Sequence, residues 1–433
     1  MKRVLVITYY WPPSGGSGVQ RWLKFVKYLR KFGWEPVVFT PENPEVPAYD
    51  PGLKKDVPHG IEVITQKAVE PYYWARMVTG NKESASVGFT NTGEKKTPVI
   101  IEKSIRWIRG NFFIPDARKG FVKPAVSCLS NYLKQHSLDI MVSTGPPHSM
   151  HLIGQKLHHT FNIPWIADFR DSWTGIDFYD DLLLTKWADR KHHQLEKQVL
   201  TQADAVITVS SFIRNELEQK GAKRVELITN GFDSDDINPL TNISRNDHFT
   251  LIHTGSLIPS RNPHELWNAL EECCEENEPF RNDLHVHLIG KTDQSVRDSI
   301  KGTLFSKSVT FTDYKPHEQA IEDMQRADIL LLPINNARNA EGFLTGKLFE
   351  YLAAGKPILC IGPVHGDAAA IIKETQSGIT AHFEDKQTIK NQILMWYDSL
   401  KMNGIIPHQS KNIDQFSRIE LTRKLASLLN EHI

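Results

Sequence analysis

Short apolar runs alternate with longer amphipathic stretches along the whole chain. Runs at residues 4–8, 35–39, 61–64, 140–143, 165–168, 205–209 and 225–228 read as strands. A second series follows at 250–253, 285–288, 309–311, 329–332 and 357–360. Strands separated by helical segments imply parallel sheets built from strand–helix–strand units. Two such series predict an α/β chain with two doubly wound domains. Residues 234–247 are polar and lack periodicity, which places the linker there. The expected division is 1–235, 248–405 and a last segment 406–433. In such sheets ligands sit beyond the carboxyl ends of the strands.

The chain has 433 residues, and its 51 basic and 51 acidic residues balance. That length suits two or more domains, and the balance gives no global bias toward nucleic acid. Cys128, Cys273, Cys274 and Cys360 show no metal-ligand spacing and are too few for a disulfide scaffold. A reducing cytoplasm is the expected location. The start, Met1 to Thr8, reads as a first buried strand, because its apolar core is too short for a signal peptide. No apolar run approaches the ~18 residues of a membrane span.

The chemistry concentrates in loops that follow strands. Thr345-Gly346-Lys347-Leu348-Phe349-Glu350 opens a helix that stops at Gly355. A helix start offers free N–H groups and a positive dipole end, which suits phosphate. Glu350, a turn further on, can accept hydrogen bonds from a vicinal diol. The alternative is an ordinary amphipathic helix. Earlier in that half, Gly255-Ser256 precedes Arg261, whose guanidinium can grip a phosphate. Two anion sites suit a diphosphate. In the first half, Gly15-Gly16-Ser17-Gly18 follows the first strand, and His148 follows the strand at 140. Asp168-Phe169-Arg170-Asp171-Ser172-Trp173 reads either as a structural ion network or as a lining for sugar or acceptor hydroxyls.

Together these motifs resemble the large retaining glycosyltransferase family of bacterial cell-wall and surface-polysaccharide enzymes, the group-1 or family-four type. The resemblance implies the GT-B fold: two Rossmann-like domains facing a cleft, with a last helix returning to the N-terminal domain. It implies an N-terminal acceptor domain and a C-terminal nucleotide-sugar domain. It places Glu350 on the ribose hydroxyls. Thr345, Gly346, Lys347 and Leu348 would serve the diphosphate and sugar, with Arg261 in the place of the family's usual lysine and Ser256 in that of its usual arginine. Gly255, Gly290 and Tyr314 would border the donor, Gly16 would face its phosphates, and His148 its sugar. His148, Arg261 and Lys347 are the expected catalytic groups. Asp168, Arg170, Asp171 and Trp173 are the expected acceptor and sugar lining. One departure stands out. The family's first glutamate falls at Gly342, with seven residues between it and Glu350, whereas Glu341 lies one earlier.

The implied reaction is metal-independent transfer from a UDP- or GDP-linked sugar, without a resident cofactor. Front-face attack would retain the anomeric configuration, and fixed positive groups would stabilise the leaving diphosphate. The alternatives are a sugar-nucleotide epimerase of the same fold and a non-catalytic nucleotide-sugar-binding protein. Residues 106–123 mix Arg106, Arg109, Arg118, Lys119 and Lys123 with Trp107, Phe112, Phe113 and Phe121, and Trp74 lies upstream. Such a mix suits either a solvated helix face with a buried aromatic side or docking on the anionic inner face of a membrane. Docking would favour a lipid-linked acceptor over a soluble glycan.

Overall fold

The computed structural model describes residues 1–44, 49–68, 99–237, 248–313 and 315–433. Seven strands form the first sheet: β1 (Lys2–Ile7), β2 (Trp34–Pro41), β3 (Glu62–Gln66), β4 (Ile140–Gly145), β5 (Trp165–Phe169), β6 (Ala205–Thr208) and β7 (Val225–Leu227). Their order is β3-β2-β1-β4-β5-β6-β7, with every pair parallel. The second sheet holds β8 (Phe249–Thr254), β9 (Leu284–Ile289), β10 (Val309–Thr312), β11 (Ile329–Pro333), β12 (Ile358–Ile361) and β13 (Gly378–Ala381). Its order is β10-β9-β8-β11-β12-β13, again all parallel.

Parallel strands need crossovers, and the crossover helices cover both faces of each sheet. That is why Val4, Leu5, Val6 and Ile7 are all fully buried. Leu5 and Ile7 join one core with Met141, Phe169 and Trp165, while Val4 and Val6 join another with Trp22 and Val142. The second sheet repeats the arrangement: Leu251 and Leu331 face one core, and Ile252 and Leu332 the other.

The chain forms two compact units, residues 1–229 with 418–433 and residues 230–417. The crossing points differ from the sequence-based boundaries. Residues 230–235 and 406–417 group with the second unit, because the Phe232 N–H bonds to the Phe416 carbonyl at 3.1 Å and Phe416 packs on Phe349. Helix Arg418–Asn430 returns to the first unit. Its Leu421, Leu425, Leu428 and Leu429 pack with Trp22, Leu23 and Val26 of helix Ser17–Leu29.

Strand order reverses between β1 and β4 in the first sheet and between β8 and β11 in the second. A reversal sends neighbouring crossovers to opposite faces and opens a crevice at the strand ends. The loops after β1, β4, β8 and β11 therefore sit at these points. They are the loops that carry Gly16, His148, Gly255 with Arg261, and Thr345.

Candidate active-site loops

Helix Gly346–Ala354 starts after Thr345, whose hydroxyl accepts the Lys347 N–H at 2.9 Å. The Leu348 N–H bonds to the Thr345 carbonyl, and the Leu348 side chain is buried. Lys347 and Leu348 are thus not free amide donors, contrary to the expectation above. The Gly346 N–H has no partner among the described residues. The first turn holds no acid, so no side chain of its own offsets the positive end of the helix. Phe349, Tyr351 and Leu352 bury the other face of the helix. The Tyr351 hydroxyl accepts from the Thr254 N–H at 2.9 Å and pins the helix to β8.

Glu350 is mostly buried, and Lys347 holds it in an ion pair of 2.8 Å. Arg261 is tied down by its neighbours. It donates to the Asn335 side chain and to the Ser256 carbonyl, and its guanidinium lies 5.1 Å from the Phe343 ring. Gly255 and Gly290 both have positive φ, at 129° and 118°. A Cβ on Gly290 would meet the Gly255 carbonyl oxygen at 2.4 Å. Glycine is required there by conformation and by close approach. Gly342 is buried in a tight turn, while Glu341 is exposed. Tyr314 lies outside the described residues, as does Trp74.

In the first unit, Asp168 is not a surface carboxylate but a fully buried one. It accepts from Arg21 Nε at 3.2 Å and Nη2 at 3.0 Å, from the Trp22 indole at 2.6 Å and from Thr144 at 2.9 Å. Burial alone would raise its pKa, but the Arg21 charge and the bonds from Arg21 and Trp22 hold it below the usual carboxylate range. Its acceptor positions are filled, so it anchors the glycine-rich helix rather than lining a sugar site. Trp173 is buried too. Its indole N–H donates to His192 Nδ1 at 3.1 Å, and its ring stacks on His148 at 4.9 Å. Arg170 bonds to the carbonyls of Gly145 and Pro146, and Asp171 is exposed. A Cβ on Gly18 would lie 2.7 Å from Arg170 Nη1, so a larger residue there would push the guanidinium aside. Gly16 precedes the helix with φ 97° and open space around it.

His148 opens helix Ser149–Phe161 and is held neutral, chiefly by burial. Its Nδ1 has no partner among the described residues. Sequence reasoning missed Asp116, which accepts the Ser149 N–H and hydroxyl, both at 2.8 Å. That carboxylate fills the anion position at this helix start. The contact spans 33 positions, and no local pattern announces it.

The basic aromatic stretch divides. Phe121 stacks on Phe39 in the core and Arg118 is buried over the Tyr9 ring, so neither can meet a bilayer. Trp107, Ile108 and Phe112 are exposed on helix Val99–Phe112. Asn111 staples that helix to residues 183–185 through the Leu183 carbonyl and the Thr185 N–H. This adds exposed Leu183 and Trp187 to the patch, a pair that the sequence reading did not include. No helix among the described residues is long and apolar enough to cross a membrane.

Two family models match most of the chain. The profile described as "Glycosyl transferases group 1" matches residues 238–406, and that of "Glycosyltransferase Family 4" matches residues 87–236. The chain belongs to the group 1 glycosyltransferases. No curated protein sequence matches it. Solved glycosyltransferases share its two-domain GT-B fold. Sucrose-phosphate synthase from Thermosynechococcus elongatus aligns with a TM-score of 0.61 at 15% identity, covering 100% of this chain and 99% of its own. Anabaena HepE in complex with UDP and glucose gives 0.61 at 15%, covering 100% of each chain. WaaG, a glycosyltransferase of lipopolysaccharide biosynthesis, gives 0.57 at 14%, covering 98% and 99%. In this group 1 glycosyltransferase, then, the loops at the strand reversals are those that carry Gly16, His148, Gly255 with Arg261, and Thr345.

Proposed function

We propose that this glycosyltransferase moves a sugar from a UDP- or GDP-linked donor to a hydroxyl acceptor with retention at the anomeric carbon. The observation that carries the reading is the start of helix Gly346–Ala354. It joins an open amide, a first turn without an acid, a cation at Lys347 and a carboxylate at Glu350. The HepE structure with UDP and glucose supports a nucleotide-sugar donor. In this reading Gly346 N–H, Lys347 and Arg261 take the diphosphate and stabilise it as it leaves. Glu350 takes the ribose diol. Gly255, Ser256 and Gly290 border the nucleotide, and His148 bonds to the donor sugar. Arg170 and Asp171 take acceptor hydroxyls, with Asp168 and Trp173 behind them. These fixed groups supply the positive charge that a metal supplies elsewhere, so the reaction is metal-independent.

The acceptor we propose is a surface-polysaccharide or lipid-linked glycan precursor, met at the inner face of a membrane. The exposed patch of Trp107, Ile108, Phe112, Leu183 and Trp187, with exposed Lys119, Lys123 and Lys186 nearby in the chain, supports this. The test is calorimetric titration with UDP, GDP and ADP in EDTA, followed by acceptor-dependent release of nucleoside diphosphate. Binding of one nucleotide without metal is expected. Absence of binding by all three refutes the donor site, and donor turnover without acceptor dependence favours an epimerase.

A further inference from the structure

His253 lies two residues before Gly255 and has no part in the reaction proposed above. Its Nδ1 bonds to the Leu331 carbonyl at 3.0 Å, and a carbonyl only accepts, so Nδ1 carries the proton. Nε2 is therefore a bare lone pair. The side chain is 4% exposed, and Nε2 has no partner among the described residues. A Cβ built on Gly255 would sit 3.7 Å from that nitrogen and 3.8 Å from Lys347 Cε. The missing side chain leaves a gap bordered by the imidazole and the lysine stem.

Arg261 and Lys347 are the charges that bear on the ring. Glu350 is paired with Lys347, the Tyr351 hydroxyl shares the Leu331 carbonyl, and β11 offers only that carbonyl. Burial, helped by the two cations, takes the imidazole down to about 4. An unpaired buried acceptor is unfavourable. Beside phosphate oxygens it would be more so, lone pair against lone pair.

We propose that His253 is the proton-accepting residue of the diphosphate site. When a nucleoside diphosphate settles at Arg261 and Lys347, Nε2 takes a proton from solvent and donates it in a hydrogen bond to a phosphate oxygen. The imidazole becomes an imidazolium, and the buffer gives up one proton. This rests on the donor-site reading above. A unit negative charge at about 5 Å, at an effective dielectric near ~20, raises a pKa by roughly two. A diphosphate brings more than one such charge, which lifts the ring from about 4 toward neutrality.

The experiment is titration of the whole protein with UDP and GDP at pH 7.0 in PIPES and in Tris, whose ionisation enthalpies differ. Uptake of about half a proton or more per nucleotide is expected. His253→Gln should abolish it. Nitrogen-15 spectra of the wild-type imidazole, with and without nucleotide, give a second reading that needs no variant. Protonated Nε2 in the complex is expected. Tight binding with no uptake and a neutral ring overturns the proposal and leaves the donor site standing. Absence of binding by both nucleotides, and by ADP, overturns both.

Discussion

Replacing Asp168 with alanine should damage the fold of the first unit far more than its chemistry. The carboxylate and the Arg21 guanidinium are both fully buried, 3.0 Å apart. Removing one partner of a buried pair strands the other charge and costs about 3–5 kcal/mol. The Trp22 indole N–H also loses its acceptor at 2.6 Å, which adds about 1–3 kcal/mol. The Thr144 hydroxyl can turn away, and the terms overlap, so about 4–6 kcal/mol is the expected sum. Domains of this size hold only about 5–15 kcal/mol in reserve. Urea denaturation followed by tryptophan fluorescence should show the first unit's transition shifted or lost, since Trp22 and Trp165 belong to it. UDP binding should persist, because Arg261, Lys347 and Glu350 belong to the other unit. A variant that unfolds within ~1 kcal/mol of wild type, yet has lost glycosyl transfer, would refute the argument. Asp168 would then be a substrate ligand after all.

Further outcomes are expected. Glu350→Ala should weaken donor affinity at least about tenfold with the fold intact, since each charge-assisted bond is worth roughly 1.5–3 kcal/mol; unchanged binding by calorimetry removes the ribose assignment. Burial takes His151 down to about 3 and His253 to about 4, from an ordinary value of 6.5. The unfolded chain then binds more protons between those values, so stability falls as pH drops below 6.5. At pH 5 each unit should lose about 2 kcal/mol relative to pH 7.5, and identical urea midpoints at the two pH values would show that the rings are not held neutral. Phe112→Ser with Trp187→Ser should weaken binding to anionic vesicles at low salt without changing UDP affinity; wild-type protein that ignores such vesicles ends the membrane proposal.

The sheets were legible because buried parallel strands are written as continuous apolar runs. The run of Asp328 to Pro333 needs no partner to be read. β13 was not read, since its four residues, Gly378 to Ala381, begin with glycine and are mostly half-buried. The helix start at Thr345 was legible from the strand before it, the loop with Gly346 and the stop at Gly355. Which amides were already taken was not, because Thr345 folds back on Lys347 only once the turn exists. The Asp168 cluster was legible as either an ion network or a sugar lining, and sequence alone did not choose between them. Its partner, Arg21, lies 147 positions away, and no local pattern pairs them. The same distance problem hid Asp116, and it left open whether Phe121 belonged to a membrane face or to a buried side until Phe39 claimed it for the core.

The return of helix Arg418–Asn430 to the first unit has a consequence for biosynthesis. Residues 230–417 form a continuous insertion within the other unit. A ribosome therefore releases the whole of the inserted unit before it delivers the leucines that cover Trp22, Leu23 and Val26. The earlier-made half must wait with one sheet face uncovered while the later-made half folds. Nascent chains halted near residue 400 should accordingly recruit chaperones through the helix Ser17–Leu29, and release them once residue 430 has cleared the exit tunnel.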